Sequence, residues 1–205
     1  KLMKNELKLT QESGLVLAKT KKLMGLTSKL LSKDKPLSLR TAATDLSQAL
    51  IAGRYRDEGD GTVTDITTGL QWQRISVGQR WENGECIGEA TEHDWEQAFE
   101  VAEASDFAGY QDWRLPSLEE LQSLVYCSSG KLRSWVTKGE TCKGDYQRPT
   151  IVNEAFPNAP ASIVWSSSPN GDYSDGVWSI GFFYGYTVDV NRNNNSCVRL
   201  VRSGQ

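Results

Sequence analysis

Gly109-Tyr-Gln-Asp-Trp-Arg-Leu-Pro-Ser-Leu-Glu-Glu-Leu-Gln-Ser-Leu124 carries the local signals from which the fold is read. Ser117-Leu-Glu-Glu120 is a capping box, in which Ser and the Glu three residues later satisfy each other's free backbone N–H groups, and Pro116 stands directly before it. Leu118, Leu121, Leu124 and Val125 follow as the buried stripe of a helix. Upstream, Thr91 stands three residues before Asp94 and ahead of Trp95, Ala98, Phe99, Val101 and Ala102. This spacing predicts a second capped amphipathic helix ending near Ser105. Glu96 and Glu100, or Glu119 and Glu120, read as solvated helix faces rather than acid–base pairs.

Downstream of Ile151 helical periodicity stops. Ile163-Val-Trp-Ser-Ser, Val177-Trp-Ser-Ile-Gly-Phe-Phe, Tyr186-Thr-Val-Asp-Val and Cys197-Val-Arg-Leu-Val place β-formers between Asn, Gly, Ser and Asp turns, the pattern of an antiparallel sheet. Helices early and sheet late make the domain α+β. Before the helices, Arg54 to Asp65 reads as strand, turn, strand around Asp60-Gly61. Asp57, Asp60 and Asp65 do not form a calcium loop, because Gly59 and Gly61 occupy places where oxygen ligands are needed.

The N-terminal stretch differs from the rest. Residues 1–40 hold ten Lys or Arg against three Asp or Glu, a balance of +7, while residues 41–205 hold 13 against 23, a balance of −10; together they give the net −3 of the chain. Leu15, Val16, Leu23, Leu26, Leu30 and Leu31, with Lys19, Lys21, Lys22 and Lys29 between them, predict a basic amphipathic helix over 14–31. It is a candidate surface for an acidic partner or anionic lipid, or a helix that packs on the main domain, on a second copy of the chain or beneath an upstream domain. A shorter helical stretch is expected over 41–51. The division is therefore a basic helical arm, 1–52, and a main domain, 53–205. The acidic main domain disfavours nucleic acid, and no apolar run approaches the roughly 18–20 residues of a membrane span. Lys residues interrupt every apolar stretch of the arm, so no secretory leader is read there. With one His, His93, and no C-x-x-C pair, the sequence offers no metal site and no expected cofactor.

Taken together, Arg54-Tyr-x-Asp-x-Gly-Asp-Gly-Thr-Val-Thr-Asp-x-x-Thr-Gly-Leu-x-Trp72, Gly109-Tyr-x-Asp-Trp-Arg-Leu-Pro-Ser-x-x-Glu-Leu-x-Ser-Leu124, Ala155-Phe-Pro157, Trp165-Ser-Ser-Ser168 and Val198-Arg-Leu-Val-Arg202 resemble the bacterial DUF1566 family. That family includes the C-terminal domain of Legionella collagen-like adhesin and is similar in fold to C-type lectins. The resemblance covers about residues 54–202. It implies a C-type-lectin-like domain in which two helices flank a twisted antiparallel sheet whose late loops and strands bind a ligand. Trp72, Trp113, Arg114, Leu115, Trp165 and Trp178 are then scaffold. The Glu-Pro-Asn and Trp-Asn-Asp signatures of calcium-dependent sugar binding are missing. Cys127 and Cys142, which bracket a Gly/Ser/Lys loop, are the candidate disulfide. Related sequences often carry a Cys near this chain's Ile75-Ser76, so Cys86 stands without that partner. Many relatives are exported or surface-bound, whereas the lack of a leader and the odd Cys86 lean toward the cytoplasm.

The window 166–197 is compositionally apart. Of its 32 residues 21 are Asn, Ser, Gly, Tyr or Asp, and none is Lys, Glu, Gln, Met or His, although Lys, Glu, Gln and Met fill 37 of the first 165 positions. Random replacement of the first two adenines of an AAC codon reaches Asn, Ser, Gly, Tyr, Asp, Cys, Phe, Val, Ile, Thr and Arg but never Lys, Glu, Gln, Met or Trp. The window obeys that restriction except at Trp178. It looks like the variable region of a diversity-generating retroelement target. Tyr and Phe give contact area at low entropy cost, and Ser, Gly and Asn give adaptable hydrogen bonds. The candidate anchors are Tyr173, Phe182, Phe183, Tyr184 and Tyr186. Asn170, Asp172, Ser174, Asp175, Ser179, Asp189, Asn191, Asn193, Asn194, Asn195 and Ser196 are the candidate polar contacts, and Cys197 also fits the restricted set.

The expected function is non-enzymatic recognition of a protein or glycan ligand by a receptor- or adhesin-like face. Two other readings compete. One is an oxidase like the formylglycine-generating enzymes, which needs a reactive cysteine pair where only Cys197 lies near the late sheet. The other is a structural or oligomerisation module acting through the basic helix.

Overall fold

The computed structural model describes residues 49–135 and 139–204, with the backbone alone over 132–135 and 139–140. The helix expected over 14–31 lies outside them, as does most of the stretch expected over 41–51. The described end of that stretch is not helical, since Ile51 forms a β-bridge with Tyr55. Residues 50–205 form one compact unit.

The unit is built mainly of sheet. Strands β1 (Tyr55–Asp57), β2 (Thr62–Asp65) and β3 (Leu70–Gln73) form an antiparallel meander, and the closing strand β13 (Val201–Ser203) joins beside β3, giving the order β1-β2-β3-β13. The Asp60-Gly61 turn forms as read: the Asp60 carboxylate accepts both the backbone N–H (2.9 Å) and the hydroxyl (2.6 Å) of Thr62. A hairpin of β4 (Arg80–Glu82) and β5 (Glu85–Ile87) turns on Asn83-Gly84, whose φ angles of 53° and 84° suit the mirror-image turn that such pairs favour. The larger sheet has the order β11-β10-β9-β12-β6, from β6 (Glu92–His93), β9 (Ile163–Pro169), β10 (Gly176–Gly181), β11 (Tyr186–Asn191) and β12 (Ser196–Cys197). Its pairings are antiparallel except β12 with β9, which run parallel at Cys197 and Val164. A second hairpin pairs β7 (Leu132–Trp135) with β8 (Gly139–Cys142).

The expected α+β pair of helices flanking a sheet is overturned. Among the described residues α1 (Trp95–Glu103) is the only helix of seven residues or more, and α2 (Leu118–Gln122) stops after five. The capping box of α2 is present, but the chain tightens at once: the Leu124 N–H turns to the Leu121 carbonyl, the Val125 N–H to Gln122, and the Tyr126 N–H leaves for Thr150. Local signals start this helix, and packing of Leu124 and bonding of Tyr126 elsewhere end it. The two flanking helices implied by the C-type-lectin-like resemblance are therefore replaced by one nine-residue helix and a single five-residue turn of helix among the described residues. The start of α1 also differs from expectation. Glu92 and His93 pair with Cys197 and Ser196, so the helix begins later, with Asp94 and Gln97 forming the capping box assigned to Thr91.

Two apolar clusters hold the unit together. Tyr55, Trp72, Leu121, Leu124, Phe156, Val164, Ile180 and Phe182 form one, and Ala98, Ala102, Trp113, Leu115, Trp165, Val177, Val190 and Val198 the other. Val164 and Trp165 are neighbours in β9 yet enter different clusters, as period-two alternation requires, so this sheet is packed on both faces. The Trp-Arg-Leu-Pro run ties the elements together. Trp113 donates its indole N–H to Phe107 (2.9 Å), Arg114 grips Glu120 with two bonds of 2.7 Å, and the Arg114 backbone bridges Val201.

Arg199 is the least expected core residue. It is 1% exposed and donates to the carbonyls of Gln73 (2.9 Å) and Ile75 (3.2 Å) and to the Ser76 hydroxyl (3.1 Å), with its guanidinium 4.8 Å from the Phe156 ring centre. Burial pulls its pKa down to about 10. Backbone carbonyls thus solvate a cation that has no ion pair with a carboxylate among the described residues.

Candidate functional site

The window 166–197 spans most of β9, the loop 170–175, the β10–β11 hairpin and the turn into β12. Strand β11 is an edge of the larger sheet. In register, Tyr186 faces Gly181, Asp189 faces Trp178 and Asn191 faces Gly176. Alternation sends Tyr186, Val188 and Val190 to the face of the α1 cluster, and Thr187, Asp189 and Asn191 to the face on which Gln122 of α2 bonds Thr187 (2.9 Å).

The 17 candidates divide. Asn170, Ser179, Phe182, Ser196 and Cys197 are all buried, at 5% exposure or less, and lie inside the protein rather than on a ligand face. The thiol of Cys197 is pushed up by burial, and so is that of Cys86; both are unpaired. The remaining twelve are half-buried or exposed and gather at two ends of the hairpin.

At one end are Phe183, Tyr184 and Tyr186. Adjacent ring centres lie 6.4 and 6.1 Å apart, with Phe183 and Tyr184 well exposed. Gly181 makes room for this cluster, since a Cβ there would stand 2.6 Å from the Tyr186 ring. The Arg148 guanidinium lies 4.9 Å from the Tyr184 ring centre and 5.3 Å from that of Tyr146. The Tyr184 carbonyl is held by the Cys142 N–H (2.9 Å) and the Thr141 hydroxyl (2.6 Å), and Cys142 is bonded to Cys127. The disulfide therefore anchors the aromatic end. Arg148 and Tyr146 are outside the window and carried no sequence signal.

At the other end the loop 170–175 closes on itself. The Asn170 N–H donates to Gly176, the Tyr173 N–H to Asn170 and the Gly176 N–H to Tyr173, while the Asn170 side-chain oxygen accepts from Asp172 (3.1 Å). Tyr173, Ser174, Asp175, Gly176, Asp189 and Asn191 line an open groove of about 320 Å³. Tyr173, 67% exposed, is the most exposed large aromatic among the described residues. Beyond the groove Asn193, Asn194 and Asn195 form an exposed turn, in which the Asn191 side chain accepts the Asn193 N–H (3.0 Å). Arg192 braces the back of the loop. Its guanidinium donates to the Ser174 carbonyl (2.8 Å) and lies 5.0 Å from the Trp95 ring centre, its backbone N–H bonds Asp175, and Nη1 is 3.8 Å from Glu96. The start of α1 is thereby joined to the groove.

Trp72, Trp113, Leu115 and Trp165 are buried, Trp178 is partly buried against the core, and Arg114 is exposed while gripping Glu120. His93 is occupied locally, its ring 2.8 Å from the Thr91 hydroxyl and its carbonyl accepting from Trp165 (2.8 Å). Among the described residues no cluster of three or more His, Cys, Asp or Glu could hold a metal, and no helix is long and apolar enough to cross a membrane. Residues 61–202 match the family model described as the Lcl C-terminal domain, and no curated protein matches the chain.

Proposed function

The chain belongs to the Lcl C-terminal domain family, and on that footing we propose that it is a non-enzymatic, receptor- or adhesin-like binding protein whose surface within 166–197, diversified by a retroelement, recognises a protein or glycan ligand. One observation carries the reading: twelve of the 17 candidate positions in the compositionally restricted window are half-buried or exposed and gather at the two ends of the β10–β11 hairpin, while the window's buried positions help to pack the sheet. Of the five exposed large hydrophobic residues among those described, Tyr173, Phe183 and Tyr184 belong to this window of 32 positions. Exposed aromatics beside small polar residues are the composition of surfaces selected for binding. Trp178, the one residue adenine mutagenesis could not supply, packs against the core, where a fixed residue is required.

The DNA tests the proposal. A near-copy of the segment encoding 166–197, differing almost only at adenines and adjoining a reverse transcriptase gene, is the expected finding. A locus with neither removes the retroelement.

A further inference from the structure

Resting on that reading, we infer that the groove between Tyr173, Asp175 and Asp189 is a docking pocket for a basic side chain, Lys or Arg, of a protein ligand. The groove has an aromatic rim, carboxylates on its walls and a floor at Gly176, where a Cβ would stand 2.5 Å from the Asp189 carboxylate. Its volume of about 320 Å³ admits a long side chain. Neither Asp175 nor Asp189 has an ion pair among the described residues, and the one side-chain bond to Asp175, from Ser174, is long at 3.5 Å.

The charge balance follows from where Arg192 goes. It is the only Lys or Arg in 166–197. Rather than neutralising the groove it turns to the back of the loop, with Trp95 beneath it and the Ser174 carbonyl and Glu96 as partners. The groove keeps its negative charge, and its wall is held before any ligand arrives, which lowers the ordering cost of binding. A cation entering beside Tyr173 meets an exposed aromatic ring as well as carboxylates, a combination that suits Lys or Arg and offers little to a neutral sugar. Charge complementarity of this kind sets specificity and association rate.

The test pans a dodecapeptide phage library against the full chain, with a glycan array probed in parallel. Binding is compared across wild type, D175N/D189N and F183S/Y184S, each first checked for cooperative unfolding. Selected peptides should be rich in Lys or Arg and lose about tenfold or more in affinity on D175N/D189N, and again in high salt. Peptides weakened by F183S/Y184S but not by D175N/D189N overturn the groove assignment and leave the binding face standing. If no peptide or glycan depends on either pair, both fall. Glycans that need Asp175 and Asp189, with no basic peptide selected, overturn the protein ligand.

Discussion

Buried polar residues tie together parts of the chain that lie far apart in sequence. Asp65 is fully buried and takes two bonds from Arg54 (2.9 and 2.5 Å), the Thr67 N–H (3.0 Å) and the Thr68 hydroxyl (2.8 Å). Burial alone would raise its pKa, but these donors together hold the carboxyl below its ordinary value. A carboxylate with a depressed folded-state pKa stabilises fully above its unfolded value, and the contribution is lost as pH falls through the folded one. Asp65→Asn should therefore cost about 2 kcal/mol at neutral pH, with the difference from wild type shrinking only below about pH 4, in urea unfolding followed across pH. A pH-independent difference would assign the cost to shape rather than charge. None of this was legible from the sequence, where Asp65 was one of three aspartates on a hairpin. Arg199 was equally opaque, because its carbonyl partners lie more than 120 positions away.

Elements separate into those that local chemistry starts and those that distant contacts finish. The Asp60-Gly61 turn and the Ser117 capping box were legible because each is complete within a few residues. Asn83-Gly84 carried an equally strong hairpin signal, which sequence reasoning passed over. The length of α2, the closure of β13 onto β3 and the parallel β9–β12 pair depend on chain brought from far away, which no local pattern encodes. The candidate face was legible in composition, yet its five buried members were not separable from the rest. Position on a strand fixes which face a side chain takes, and the neighbouring element decides whether that face is covered. The Cys127–Cys142 bond joins the α2 segment to β8 across a sequence separation of 15. Replacing both cysteines by Ser should lower stability by about 3 kcal/mol under non-reducing conditions, read by denaturant titration. The same variant should broaden the amide resonances of 183–186, since Cys142 holds the Tyr184 carbonyl; unchanged resonances would mean that the Thr141 bond suffices.

At the scale of the molecule, surface and support are separable. Jointly replacing Asp172, Tyr173, Ser174, Phe183, Tyr184, Asn193 and Asn194 by other residues of the adenine-restricted set should shift unfolding free energy by no more than about 1–2 kcal/mol, because all seven are exposed. Phe182→Ser alone, at 2% exposure, should cost about 3 kcal/mol or more. Equal losses in the two variants, compared by urea titration, would show that the face is structural. The support itself is shared between sheets. Arg199 follows β12 of the larger sheet and donates to Gln73 and Ile75, at and just beyond the end of β3 in the smaller one. The sheets cannot slide past each other without stranding that guanidinium in an apolar interior. A pull on β11 should accordingly be passed through Arg199 into the β1-β2-β3-β13 sheet, so that the two sheets are expected to give way together rather than one after the other.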